Sequence, residues 1–327
     1  MARILITGGA GYVGSHCAKA ASAKSHETVV FDSLLFGHRE FVRWGELIIG
    51  DIRDAAALDA IFSNHRIDAV MHFAALAYVG ESVTDPNKYY DVNVDGTRIL
   101  LDAMVRGGVD KIVFSSSCAT YGEPAGVPIN ESTRQNPINP YGFTKVICER
   151  MMDDFGRAHG LRSVRLRYFN AAGAQPTAEI GEDHGPETHL IPLVLDAAIG
   201  RRPDVTIFGT DYPTSDGTAI RDYIHVVDLA RAHTLALEYL LNGGETVALN
   251  LGNGKGASVR EVIDTARKVT GRDISAIDAP RRPGDPAVLV ADARKAHDVF
   301  GWVAQRSDLT TIIADAWRWH SLRFATR

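Results

Sequence analysis

The chain has 327 residues, 45% apolar and 23% charged, enough for about two domains with a sizeable core. Thirty-five basic against forty acidic residues leave a net charge of −5 without long charged runs, which argues against a nucleic-acid binder with its concentrated basic face. No apolar stretch reaches the ~20 residues of a membrane helix, and Cys17, Cys118 and Cys148 form no CxxC. The expectation is a soluble cytoplasmic protein in a reduced compartment, with neither nucleic acid nor membrane as partner.

From the N-terminus, short apolar runs occupy 3–7, 28–32, 47–50, 69–73, 111–115 and 163–169. Most lack strict alternation, as parallel strands covered on both faces do. Helical stretches lie between them, at 14–25 and 86–106. Asp85 can cap the second, Pro86 suits its first turn, and Gly107-Gly108 ends it. This alternation predicts the α/β class, a Rossmann-type doubly wound parallel sheet. Beyond about residue 170, loop-like stretches appear at 172–187, 209–218 and 279–287, with helices around 192–200 and 227–241. Ser258-Val259-Arg260-Glu261 reads as a capping box opening a third. The expected organisation is a dinucleotide-binding sheet domain over 1–170 and a smaller mixed α/β substrate lobe over 171–327, with more than one crossing between them.

Thr7-Gly8-Gly9-Ala10-Gly11-Tyr12-Val13-Gly14 follows the first strand and opens the first helix. Glycines 8, 11 and 14 give GxxGxxG, and 9, 11 and 14 also satisfy GxGxxG. Either pattern allows a tight turn, close backbone approach to a pyrophosphate, and that anion at a helix N-terminus. Asp32 closes the second strand. A carboxylate there accepts hydrogen bonds from ribose hydroxyls and repels a 2′-phosphate, which favours NAD over NADP; a turn former at a strand end is the plainer alternative.

Tyr141 and Lys145 follow Asn139-Pro140, a helix start, and the i, i+4 spacing sets phenol and ammonium on one face. A free phenol titrates near ~10, so a base poised at neutrality needs about three units of depression, or ~4 kcal/mol. One ammonium at ~6 Å with an effective dielectric of ~20 supplies about 2.8 kcal/mol, near two units. Lys145 alone falls short. The cationic ring of oxidised NAD would supply the remainder, so Tyr141 is expected to be a good base chiefly while NAD⁺ is bound.

Together, TGGAGYVG, SSSCATYG, NPYGFTK, LRYFNAAGA, DGTAIRDYIHV and APRRPGD resemble the extended short-chain dehydrogenase/reductase family, in particular its UDP-glucose 4-epimerase (UDP-galactose 4-epimerase) branch. The resemblance runs from residue 2 to about 320. It implies that Tyr141 takes the proton of the sugar 4-OH while C4 gives a hydride to NAD, with Ser117 hydrogen-bonding that oxygen. The 4-ketose then turns over and takes the hydride back on its other face, and the cofactor is retained throughout.

The resemblance also assigns positions singly. Gly8, Gly11, Tyr12, Val13, Gly14 and Asp32 would hold the cofactor, with Asp51 and Ile52 flanking adenine and Phe73, Ala74 and Ala75 at the phosphates and ribose. Asn93, Ser115, Ser116, Tyr141, Lys145 and Tyr168 complete that set, although Ser115 and Ser116 read on their own as satisfying local backbone groups. Asn170, His189, Leu190, Phe208, Arg221, Arg282 and Asp285 would hold UDP, along with Ser117 and Tyr141 at the sugar. Paired arginines suit a pyrophosphate; a surface ion pair is the alternative for each. Leu289 stands where residue size gates the sugar, between a bulky Tyr that excludes N-acetylated hexoses and a small residue that admits them.

Two departures are Ala77, where many members place a Lys near the cofactor phosphates, and His189, where an Asn is familiar. The twelve histidines show no HExxH or comparable spacing, so no metal is expected. The family's dimer contact, through the helices over 86–106 and 141–155, implies a homodimer. Competing readings are a UDP-xylose/UDP-arabinose 4-epimerase, a UDP-N-acetylglucosamine 4-epimerase, a nucleotide-sugar 4,6-dehydratase, a net dehydrogenase and a silent NAD-sensing regulator. The dehydratase needs an Asp-Glu pair after the active-site hydroxyl; here Ser117 is followed by Cys118-Ala119.

Overall fold

The computed structural model describes residues 1–282 and 284–324, so Pro283 of the APRRPGD motif lies outside the described residues. Its strands are β1 (Arg3–Thr7), β2 (Glu27–Asp32), β3 (Glu46–Ile49), β4 (Ala69–His72), β5 (Lys111–Ser117), β6 (Arg162–Tyr168), β7 (Asn170–Ala172), β8 (Val205–Phe208), β9 (Ile220–His225), β10 (Val247–Leu251), β11 (Gly256–Ser258), β12 (Ala276–Ala279) and β13 (Val288–Leu289). The α-helices are α1 (Tyr12–Ala23), α2 (Ala55–Asn64), α3 (Val79–Thr84), α4 (Pro86–Tyr89), α5 (Gly96–Arg106), α6 (Pro140–His159), α7 (Leu190–Ala198), α8 (Val226–Leu241), α9 (Val259–Thr270), α10 (Arg294–Phe300) and α11 (Leu309–Phe324).

The chain forms two compact units. The first comprises Met1–Gly122, Arg134–Arg167 and Ala230–Leu249; the second comprises Glu123–Thr133, Tyr168–Leu229 and Asn250–Arg327.

The main sheet has seven strands in the order β10-β6-β5-β4-β1-β2-β3. Strand β1 pairs in parallel with both β2 and β4, and β4 pairs in parallel with β5. The strand order reverses at β1/β4, the switch point where α/β sheets bind ligands. Ile4, Leu5 and Ile6 are wholly buried, which explains why these strands read as unbroken apolar runs. Leu5, Val29, Val70, Ile112 and Phe114 pack with Leu58, Leu100, Leu101, Met104 and Met152 in one core. Each large side chain so buried contributes about 1.5–3 kcal/mol.

One expected element differs. The helix over 86–106 is continuous in pattern but contains a π-helical turn at Tyr90–Asp95, between α4 and α5. The wide turn accompanies Asn93, whose side chain is drawn inward to bond Leu76 and Thr144. Such bulges are frequent at functional sites. The Asp85 cap and Pro86 first turn are present, Asp85 accepting from the Lys88 N–H.

In the second unit, β9 pairs with β11, β13 and β7, and β8 pairs in parallel with β12. Ile191, Val194, Leu195, Ile207, Val262, Ile263, Ile312 and Ile313 form its core. The Ser258–Glu261 capping box is present on both sides, with Ser258 Oγ accepting from Glu261 N–H and Glu261 from Ser258 N–H. No helix among the described residues is long and apolar enough to cross a membrane.

Candidate active site

The phosphate loop occupies the end of β1. Gly8 has φ +72, and a Cβ there would lie 2.5 Å from the Ala74 nitrogen, so only glycine allows the loop to pass against the 73–75 segment. That segment is anchored by Phe73 and Ala74 N–H groups, both donating to the Thr7 carbonyl. Gly11 precedes α1 as its N-cap residue without a side-chain cap, and Tyr12, Val13 and Gly14 form the first turn. The helix therefore begins with no side-chain cap and no acidic residue in its first turn to offset its dipole, a terminus suited to a pyrophosphate.

Asp32, at the end of β2, is 8% exposed. Its Oδ2 accepts from Ala10 N–H at 2.9 Å and its Oδ1 from Leu34 N–H at 2.8 Å. Burial pushes its pKa up, and those two donors oppose the rise. Each oxygen keeps a lone pair, so the carboxylate remains able to accept ribose hydroxyls. A Gly-rich loop with room for backbone approach and a buried acceptor carboxylate fit a dinucleotide.

Other expected cofactor residues are more committed to the protein. Asp51 pairs with Arg53 at 2.6 Å, which holds its carboxyl below the usual range. Ile52 is buried, Phe73 lies 4.9 Å from the His233 ring, and Ala75 is half-buried. Asn93 uses its whole amide within the protein, accepting from Leu76 N–H and donating to Leu76 O and Thr144 Oγ1. It thus fixes the 74–77 segment. Ala77, where a lysine was the alternative, is exposed, and Tyr168 ends β6.

Ser117, Tyr141 and Lys145, the trio expected to be catalytic, lie on two elements in contact, β5 and α6. Ser117 ends β5, and its Oγ accepts from Ala119 N–H at 3.1 Å, leaving the hydroxyl proton to donate. Asn139 caps α6 by accepting from Gly142 N–H, with Pro140 in the first turn. A Cβ on Gly142 would stand 2.5 Å from the Ala119 carbonyl oxygen. Glycine at 142 is what lets the start of α6, carrying Tyr141, press against the turn that follows Ser117. One turn on, Lys145 is 4% exposed and donates to the Ser115 carbonyl at 2.9 Å.

Beneath this trio is a buried pair that the spacing argument missed. Glu149 accepts from Arg167 Nε at 2.9 Å, Arg167 Nη2 at 2.5 Å, Ser116 Oγ at 2.6 Å and Gln135 Nε2 at 3.2 Å. Burial alone would raise its pKa; Arg167 and the Ser116 hydroxyl outweigh burial and hold it low. Thus Ser116 serves a side chain, not the backbone as expected, while Ser115 supplies its carbonyl to Lys145. The signal was present: Tyr141, Lys145 and Glu149 recur every four residues along one helix face.

In the second unit, Asn170 lies in β7 opposite Tyr223. Arg221 of β9 stands in register with Leu289 of β13 and pairs with Asp285; at 13% side-chain exposure the guanidinium is no surface ion pair. The Arg282 guanidinium carbon stands over the Phe208 ring, 3.9 Å from its centre, a cation–π contact. His189 precedes α7 as its N-cap residue and Leu190 begins the helix.

The sequence pattern of the NAD dependent epimerase/dehydratase family matches residues 4–252. A UDP-glucose 4-epimerase of Rhizobium meliloti (strain 1021) is 56% identical over 320 residues, covering 98% of this chain and 97% of that protein. The crystal structure of a Brucella ovis UDP-glucose 4-epimerase in complex with NAD superimposes with a TM-score of 0.95 at 51% identity, covering 97% and 98% of the two chains. That of a Bifidobacterium longum UDP-glucose 4-epimerase with NAD⁺ and UDP gives 0.94 at 38% identity, covering 98% of each chain. A Gly-rich turn at a sheet switch point, a buried acceptor carboxylate and the Ser117/Tyr141/Lys145 trio agree with that match, and the chain belongs to the NAD dependent epimerase/dehydratase family.

Proposed function

We propose that this chain interconverts UDP-glucose and UDP-galactose. Bound NAD supplies the hydride acceptor, and afterwards the donor, for sugar C4. Tyr141 takes the 4-OH proton as C4 is oxidised and returns it on reduction, Lys145 lowers the cost of the phenolate, and Ser117 donates a hydrogen bond to the same oxygen. Asn170, His189, Leu190, Phe208, Arg221, Arg282 and Asp285 hold the nucleotide while the 4-ketose turns over. The observation that carries this reading is the local packing of Tyr141 and Lys145 beside Ser117, through Gly142 against Ala119. With Cys118 and Ala119 after Ser117, no carboxylate is positioned in sequence for removing water across C5–C6. The reading includes a homodimer and a cytoplasmic site, the latter supported by three free cysteines.

The test is conversion of UDP-galactose to UDP-glucose by purified enzyme without added NAD, using substrate deuterated at C4. Product that retains the deuterium supports the reading. No product, loss of label to solvent, or undiminished turnover in Tyr141→Phe refutes it. Removal of a general base of this kind costs about 10²–10⁴-fold in rate.

A further inference from the structure

The segment between β7 and α7 gathers four metal-binding side chains within a stretch of eight residues. One ligand atom each from Glu182, His184, Glu187 and His189 lies within 4.8 Å of the others. The pattern is E-x-H-x-x-E-x-H, with steps of two, three and two residues along an irregular segment; the absence of HExxH therefore concealed it. We propose that these four side chains form a structural zinc site.

The spacing supports a shared ion. Ligands at zinc's usual ~2.0–2.1 Å, placed at the corners of a tetrahedron, stand about 3.4 Å apart. His184 Nδ1 is 3.4 Å from Glu182 Oε1 and 3.5 Å from Glu187 Oε2, while His189 Nδ1 lies 3.4 Å from the other Glu187 oxygen, Oε1. A shorter edge, His189 Nδ1 to Glu182 Oε1, is 2.7 Å and is one an ion must open.

Glu182 gives a second, independent indication. Its side chain is 6% exposed. Its Oε1 is buried and receives no hydrogen bond of acceptable geometry, despite the nearby imidazole nitrogen. A buried carboxylate oxygen without a donor costs free energy unless a cation satisfies it.

The surroundings are those of a prepared site. The Trp319 indole N–H donates to the Glu182 carbonyl at 2.9 Å. The Thr188 and His189 N–H groups both donate to Glu187 Oε1, at 2.7 and 2.8 Å, leaving Oε2 for the ion. Such outer contacts orient ligands. Two carboxylates and two neutral imidazoles balance a divalent cation, and the two-nitrogen, two-oxygen set suits zinc. Four protein ligands close the coordination sphere, so the ion would clamp the segment entering α7 without doing chemistry. Coordination through Nδ1 leaves the other edge of His189, a side chain 47% exposed, for the nucleotide.

The competing occupant is a pair of protons. In the ion-free cluster burial disfavours charged imidazole, but Glu182 and Glu187 overcome it and push His184 up to about 9.

The test uses the full-length holoenzyme without a histidine tag, stripped with a chelator and titrated with Zn²⁺ at mildly alkaline pH against a chromophoric competitor. Metal content is measured after dialysis, and Co²⁺ serves as a spectroscopic stand-in. The expected result is one zinc per chain and an intense visible Co²⁺ band of tetrahedral type. His184→Ala and Glu182→Gln should each weaken binding by more than about 100-fold, with bound NAD and circular dichroism reporting that the fold is kept. Zinc content near zero in the parent, a weak octahedral Co²⁺ spectrum, or equal affinity in folded His184→Ala overturns the proposal and leaves a proton-loaded ion-pair cluster. None of these readouts depends on epimerase activity, so the proposed function stands or falls separately.

Discussion

Lys145 Nζ lies 5.8 Å from the centre of the Tyr141 ring and 4.8 Å from that of Phe114. Burial pulls the Lys145 pKa down to about 8, opposed by Cys148 and Glu149. The Cys148 thiol is itself pushed up to about 11 by burial, so at neutral pH the opposing charge is that of Glu149. The ammonium beside the phenol is therefore present at pH 7 and lost as pH rises through about 8. The alkaline limb of kcat/KM should follow that loss. Lys145→Arg, which stays charged, should lower the maximum through altered reach while moving the alkaline limb upward. A limb at the same pH in that variant would assign it to another group.

The Glu149–Arg167 pair makes a different prediction. Breaking a buried pair by removing one partner costs about 3–5 kcal/mol, so Glu149→Gln should lower stability by that order and shift the alkaline limb of activity to lower pH, because Lys145 loses its favourable neighbour. A carboxylate with a depressed pKa stabilises the fold above the unfolded value of ~4.3. That contribution is lost as pH falls through the folded value. The parent should therefore lose stability on acidification more steeply than Glu149→Gln. Denaturant unfolding across pH checks this. Equal slopes would mean Glu149 is not held low.

The reach of sequence reasoning here follows the range of the forces involved. Strands such as Ile4-Leu5-Ile6 were legible because burial on both faces demands apolar runs. The phosphate loop and the Tyr141/Lys145 pair were legible because their geometry is local, set by a turn and by helical spacing. Asp32 was legible in position, and its Leu34 donor is local, two residues on, but the Ala10 donor belongs to a loop that only folding brings near. Asn93 belongs to a π-helical turn, and its side chain bonds Leu76, seventeen residues away in sequence. Arg167 meets Glu149 from a neighbouring strand, and no periodicity in α6 names that partner. The Glu182–His189 cluster lies in irregular backbone, where spacing carries no direction.

His72 tests the buried neighbourhood of the phosphate loop. Its Nδ1 bonds Thr7 Oγ1 at 2.7 Å and its Nε2 bonds Thr97 Oγ1 at 2.9 Å, tying the end of β1 to α5. Burial, and then Lys145, lower its pKa to about 3. Between that value and the unfolded ~6.5, the unfolded chain binds a proton that the folded chain refuses. Stability should then fall by about 1.4 kcal/mol per pH unit on acidification from this group alone. His72→Gln should be less stable at pH 7 yet show a slope shallower by about one proton between pH ~4 and ~6. An unchanged slope would show that His72 is protonated in the fold.

Leu289 tests sugar choice. It stands in register with Arg221 on β9, half-buried at the end of a two-residue strand, so side-chain volume at this position can change with little backbone consequence. Replacing leucine by tyrosine adds bulk where an N-acetyl group would need space, whereas alanine removes it. A pocket that differs by a few methylenes discriminates by about 1–3 kcal/mol, or 10–200-fold. Leu289→Tyr should reduce kcat/KM for UDP-N-acetylglucosamine relative to UDP-glucose by a factor in that range, and Leu289→Ala should raise the same ratio. Because the Tyr141 machinery is untouched, turnover of UDP-glucose itself should change little in either variant. A ratio that moves in neither variant would remove Leu289 from sugar selection and place the gate elsewhere in the second unit.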